Sequence, residues 1–241
     1  MIQERITASG LKGGKNLLDY IWVDDKSPIL KQLPKNFKSA ALLLHPFVQM
    51  PSGWEGNVRK TPYEHIYPSN EEIFNIGKPI SWREIMNLSG LKSYKEIAVA
   101  LLTSTGALKK EYERADLASK LNSSLNQDLY YPAEDSTSIF LLENLLTVLY
   151  SKGAHKLYFS EPTFGNSGSL NLYDTTLIEI CNLSGNELIV TDENMDNAFM
   201  SLFDSFATLL ITNEENIEHT VQLMNCEAVV CTKNTFIDWY F

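Results

Sequence analysis

Four side chains of this sequence have the chemistry of acid–base catalysis: His45, His65, Glu134 and Asp135. An imidazole that titrates near neutrality, set beside a carboxylate, is a common proton-transfer pair. His45 and His65 lie with Trp54 in a proline-rich region, and Glu134 and Asp135 follow Tyr130-Tyr131-Pro132. Aromatics beside carboxylates can wall a ligand pocket, so convergence of these loops would make a small-molecule enzyme. Nucleophilic catalysis has weaker support. Cys181, Cys226 and Cys231 could each meet an imidazole, including His155 or His219. Cys226 and Cys231 border apolar runs, however, where a free cysteine behaves as a small hydrophobe. Gly165-Asn-Ser167-Gly168 lacks the spacer of a Gly-x-Ser-x-Gly elbow. It also lacks the lysine and following helix of a phosphate-binding loop, and reads as a flexible connector.

Asp192-x-Asn194-x-Asp196 matches positions 1, 3 and 5 of a calcium-binding loop. The match fails at Asn197, where glycine is needed, and at Phe203, where a bidentate glutamate is needed. A solvated turn is the reading, with no metal and no cofactor expected. Arg114–Leu121 followed by Asn-Ser-Ser124 resembles the start of a helix-turn-helix unit. The segment after it, Leu125–Leu129, has no basic residue and is cut short by Pro132, so it cannot read a major groove.

The sharpest signal is charge. Residues 157–232 carry no Lys or Arg and twelve carboxylates: Glu161, Asp174, Glu179, Glu187, Asp192, Glu193, Asp196, Asp204, Glu214, Glu215, Glu218 and Glu227. All 20 Lys and Arg lie elsewhere, so this block accounts for the net charge of −10. Such a surface speeds association with a cationic partner, though it also serves solubility alone. Asp192, Glu193, Asp196, Glu214, Glu215 and Glu218 are the residues expected to meet a basic protein partner. The function expected is therefore non-catalytic binding or regulation, of an immunity-like kind. A pI near 4.9 excludes non-specific attraction to nucleic acid or anionic membrane. The longest apolar run, Ala40–Leu44, is too short to span a bilayer, and Met1–Asn16 is polar rather than signal-like. Three cysteines fit reduced thiols better than a disulfide framework, which points to the cytoplasm.

The elements that would position these residues form an α+β fold: a mixed sheet with helices packed on it. Residues 1–16 read as a flexible leader, 17–152 as a helix-rich part and 153–241 as an acidic α/β part, together one compact unit. Strands are expected over Leu17–Val23 and Ser39–Leu44, with loops from there to Lys78. Ser69, Ser81 and Ser93 each precede a glutamate by three residues and open capping boxes, the third starting a helix from Tyr94 to about Tyr112. Asp135 or Ser136 should cap a helix over Ser138–Tyr150, apolar on almost every side and thus enclosed. The acidic block reads as strand Lys156–Ser160, helix Thr175–Leu183 capped by Asp174, and strands Glu187–Thr191, Phe199–Phe203 and Phe206–Thr212. Helix Glu214–Met224, capped by Asn213, and strand Glu227–Thr232 complete it, an order that resembles a split βαβ sandwich. Phe199, Leu202, Phe203, Phe206 and Leu210 also fit a helical stripe, but Thr208, Ile211 and Thr212 favour strands. Leu188, Val190, Leu209, Ile211, Val229 and Cys231 should be buried on one inward face of each strand, with the carboxylates mostly on loops and helix starts.

Four runs carry a family resemblance: Tyr20-Ile-Trp-Val-Asp-Asp-Lys-Ser-Pro-Ile-Leu30, Leu-Leu-Leu-His45-Pro-Phe, His65-Ile-Tyr-Pro-Ser-Asn-Glu-Glu-Ile73 and Asp128-Leu-Tyr-Tyr-Pro-Ala-Glu-Asp-Ser-Thr-Ser-Ile-Phe140. In these the chain resembles the YwbB-like family of Bacillus-type bacteria, whose function is unknown. The resemblance implies a bacterial cytosolic protein and carries over no catalytic residue.

Overall fold

A strand that is apolar at every position has no face for water and must lie between two covering layers. Ser39–Leu44, apolar from Ala40 onward, is buried at all six positions. The computed structural model describes residues 21, 23–61, 66–161, 165–183 and 187–241. The leader, most of the expected Leu17–Val23 strand, and His65 lie outside the described residues.

In chain order the elements are α1 (Ile29–Gln32), β1 (Ser39–Leu44), β2 (Phe47–Gln49), α2 (Trp54–Val58), α3 (Asn70–Ile76), β3 (Lys78–Ile80) and α4 (Trp82–Ser89). Next come α5 (Tyr94–Thr105), α6 (Ala115–Ser124), β4 (Leu129–Tyr130), α7 (Ile139–Ser151), β5 (Lys156–Glu161), β6 (Asn166–Asn171) and α8 (Leu177–Cys181). The chain finishes with β7 (Ile189–Asp192), β8 (Asn197–Ser201), β9 (Ala207–Thr212), α9 (Glu218–Met224) and β10 (Ala228–Val230). Among the described residues seven strands form one sheet in the order β10-β1-β9-β8-β7-β5-β6, and β3-β2-β4 form a small second one.

Among the described residues every ladder is antiparallel. Leu42 of β1 faces Leu209 of β9 on one side and Val229 of β10 on the other. Strands β9 and β10 therefore run parallel to each other, joined by α9 and separated by β1. That is a split βαβ unit, completed by a strand from the N-terminal part, within the expected α+β class.

The sheet is covered on both faces, which corrects the expectation of a single inward face. Ala40, Leu42 and Leu44 of β1, with Leu209 and Ile211 of β9, pack against α4, α5 and α6 through Trp82, Ile85, Ile97, Leu101 and Leu121. Ala41, Leu43, Val190, Phe199 and Leu210 pack oppositely, against Leu141, Leu142, Leu145 and Leu149 of α7 and Ile180 of α8. Leu188, Val190, Leu209, Ile211 and Cys231 are buried, and Val229 is half-buried. Period-two alternation sends successive strand residues to opposite cores.

The ambiguous stretch from Phe199 resolves as β8 and β9, divided by a turn in which Asp204 takes φ 48°. Ser69 and Ser81 close complete capping boxes with Glu72 and Glu84. Ser93 accepts from the Glu96 amide, whereas the Glu96 carboxylate takes the Lys92 amide. Helix α5 stops well short of Tyr112, because Gly106 adopts φ 77° and its amide returns to Leu102 and Thr103. Ser138 stands at the cap position of α7 without a side-chain capping bond, and Glu143, Thr147 and Tyr150 leave one edge of that helix exposed. Thr176, not Asp174, caps α8. Helix α9 begins at Glu218, because Asn213 is held to Asp196 instead of capping it. The supposed connector turns at Gly165 and continues as β6, an edge strand paired with β5 along its whole length.

Candidate functional site

The turn between β7 and β8 is organised by one carboxylate. Asp192, only 4% exposed, accepts the amides of Asn194 and Asp196 on Oδ1 at 3.0 Å each. Its Oδ2 accepts the Asn197 amide at 2.9 Å and the Asn197 side-chain amide at 3.0 Å. The first position of the calcium-like pattern is thus filled by the N–H groups of its own turn, which is what makes an ionised group tolerable there. Among the described residues no group of three or more His, Cys, Asp or Glu side chains could hold a metal ion. Asp192 and Glu161 are the buried exceptions to the expected surface placing of the carboxylates.

Beside this turn lies a polar cavity of about 250 Å³, lined by Lys152, Ala154, Asp192, Asn194, Asp196, Asn197, Asn213 and Glu214. It is built where α7 ends, β7 ends, β8 begins and β9 ends. Lys152 donates to Asn197 Oδ1 at 3.0 Å and to Glu214 Oε1 at 2.8 Å. The bond from Lys152 holds the Glu214 carboxyl below its ordinary value. Asn197 Oδ1 also accepts from Thr212, and Asn213 bonds Asp196 through both its backbone and its side-chain amide. Three acids face one cation among the described residues lining the cavity, so its wall is net negative.

Three of the six expected binding residues, Asp192, Asp196 and Glu214, meet here. The other three do not line the cavity. Glu193 accepts the amides of His155 and Lys156, Glu215 pairs with Lys38 at 3.1 Å on the surface, and Glu218 lies exposed in the first turn of α9. Sequence reading missed Lys152, Asn197 and Asn213 as wall residues. The position of Lys152 at a helix end was visible, but its partner Glu214 is 62 residues away.

His45 lies in the interior, fully buried. Its Nδ1 lies 2.7 Å from the Ala133 carbonyl and its Nε2 lies 2.8 Å from Thr208 Oγ1. A carbonyl only accepts, so Nδ1 carries the proton. Burial pushes this imidazole from 6.5 down to about 4, against the Ala133 bond that raises it. Both ring nitrogens are committed to the fold. Glu134 and Asp135 follow Ala133 in the chain and are half-buried. Asp135, at φ 61°, accepts the Asp204 amide at 2.6 Å. Burial raises both carboxyls; the Asp135 and Asp204 charges add to the rise at Glu134, whereas the Asp204 amide bond opposes it at Asp135.

A buried neutral histidine makes stability depend on pH. Above about pH 6.5 the ring is neutral whether the chain is folded or not. Between about 6.5 and 4 the unfolded chain binds a proton that the folded ring refuses. Stability falls as the pH drops through that window, by about 3 kcal/mol in all. Glu134 and Asp135, raised in the fold, act in the opposite sense. Urea unfolding of the protein and of His45→Gln between pH 7 and pH 5 isolates the histidine contribution. The slope should be flatter in the variant, and equal slopes would refute this assignment.

The three cysteines are free. Burial pushes the Cys181 and Cys226 thiols up to about 11 and Cys231 up to about 12. All three are protonated at neutral pH and unsuited to nucleophilic attack.

An antiparallel sheet enclosed by helices on both faces, with an acid-lined cavity at one end of its strands, defines an α+β protein with a preformed polar site. The chain belongs to the family described as "Protein of unknown function (DUF2711)", whose model matches residues 25–241. It is 46% identical over 224 residues to the "Uncharacterized protein YwbB" of Bacillus subtilis (strain 168), covering 93% of this chain and 100% of that relative. No solved structure matches the chain.

Proposed function

We propose that this bacterial protein is a non-catalytic binding protein, regulatory or immunity-like in kind, which receives a basic protein partner on the acidic part of its chain. The observation that carries the reading is the cavity: about 250 Å³, walled by three acids (Asp192, Asp196 and Glu214) against one cation (Lys152), with three asparagines and Ala154. A cationic side chain of the partner would leave water for carboxylate and amide oxygens, the environment an ammonium or guanidinium needs when it is desolvated. The surrounding negative field would draw such a partner in and orient it. Among the described residues no helix is long and apolar enough to cross a membrane. Three free thiols suit a reducing cytoplasm, where the protein would act.

The test is titration of the full chain with a labelled hexa-arginine peptide at low salt. Binding should saturate and weaken as salt is raised. The double variant Asp196→Asn/Glu214→Gln should bind about tenfold more weakly, a loss typical of charge pairs in partly desolvated sites. A control that removes the same charge elsewhere, Glu111→Gln/Glu113→Gln, should bind like the unaltered protein. Equal loss in both variants, or no binding at all, would sink the reading.

A further inference from the structure

Three exposed aromatic rings, Tyr150, Tyr173 and His155, meet beside the cavity, His155 one residue beyond its wall. Tyr150, in the last turn of α7, meets Tyr173 edge to face, with centroids 5.3 Å apart and planes at 81°. Tyr173 lies nearly parallel to the His155 ring at 5.6 Å, and its hydroxyl is 2.9 Å from His155 Nδ1. The tyrosines are 54% and 56% exposed, so ordinary core packing does not account for them. Their position is tied to the site already described. His155 follows Ala154, which lines the cavity, and its amide is held by Glu193, the neighbour of Asp192.

We infer that this exposed corner of Tyr150, Tyr173 and His155 holds an arginine side chain of the basic partner, beside the side chain that enters the cavity; the inference rests on the function proposed above. Two perpendicular rings present one π-face and one ring edge around a common corner, and a cation over such a face is attracted by the ring quadrupole. Glu193 adds negative charge beside Tyr173. Among the described residues, Lys152 is engaged by Asn197 and Glu214, and Lys156 is exposed. The Glu193 carboxylate beside Tyr173 favours a cationic occupant over an apolar one. A guanidinium suits the corner better than an ammonium, because it is planar, weakly hydrated and stacks flat on an aromatic face.

The experiment compares hexa-arginine and hexa-lysine peptides, equal in charge, on the full chain at low salt. The unaltered protein should prefer the arginine peptide by about five- to tenfold. Tyr150→Leu/Tyr173→Leu removes the rings and keeps apolar bulk. It should bind both peptides equally, at the affinity the unaltered protein has for hexa-lysine. If the double variant melts early, Tyr150→Leu alone supplies the comparison, since that side chain is on the exposed edge of α7. Tyr150→Phe keeps the ring and should keep the preference. A preference that survives loss of the rings, or its absence from the unaltered protein, overturns this inference while leaving the cavity reading intact. Failure of both peptides to bind overturns the cavity reading and this inference with it.

Discussion

Replacing Asp192 by alanine should destabilise the fold by about 3–5 kcal/mol, the cost typical of stripping a buried charged partner from its hydrogen bonds. Four N–H donors of the β7–β8 turn converge on this carboxylate, and it is nearly inaccessible to water. Without it, the amides of Asn194, Asp196 and Asn197 lose their acceptor, and the Asn197 side chain loses the anchor that aims its oxygen at Lys152 and Thr212. Asp192→Asn should cost less, about 2 kcal/mol, since one oxygen still accepts while the new amide faces donors. Urea unfolding measures both. A loss below about 1 kcal/mol for the alanine variant would mean that the turn does not depend on this acid. The result also bears on function, because it marks Asp192 as the support of the cavity, whereas Asp196 and Glu214 are the acids to alter when binding is tested.

The second large effect is expected at Trp82→Ala, about 3–5 kcal/mol. Trp82 is 1% exposed at the first position of α4. Its ring meets Phe47 and Tyr94 edge to face and lies tilted against Trp239. The indole N–H donates to the His45 carbonyl at 2.6 Å. Truncation therefore opens a large void and strands a buried carbonyl. Trp82→Phe refills most of the void but leaves the carbonyl without its donor, and should lose about 1–3 kcal/mol, chiefly for that reason. A phenylalanine variant as unstable as the alanine one would assign the effect to the hydrogen bond and refute the packing account.

Glu227 shows how a residue of the acidic block serves this same region. Its carboxylate accepts the Trp82 amide at 2.5 Å, the Arg83 amide at 3.1 Å and the Tyr94 hydroxyl at 2.9 Å. It meets the first amides of α4, where the helix dipole favours negative charge. No local pattern announces that bond, since 145 residues separate Glu227 from Trp82.

By itself the sequence determined what depends on neighbours a few residues apart. Ser69 and Ser81 lie three residues before glutamates, and their capping boxes are present. The apolar run at Ser39–Leu44 and the β-branched residues at Thr208, Ile211 and Thr212 specified strands. The concentration of carboxylates in one stretch was likewise legible, as was membership of the family. Strand β6 was not: Asn166-Ser-Gly-Ser-Leu-Asn171 has little intrinsic strand preference and is held straight by its ladder with β5. Only the tertiary structure decided that β1 divides β9 from β10, that the sheet has two covered faces, and that Asp192 turns inward. It alone brought Lys152, Asn197, Asn213 and Glu214 around one cavity. The physical reason is chain separation. Apart from the local bonds of Asp192, each of these contacts closes a long loop, and its free energy is realised only when the whole sheet is assembled, so no short window of sequence carries its signature.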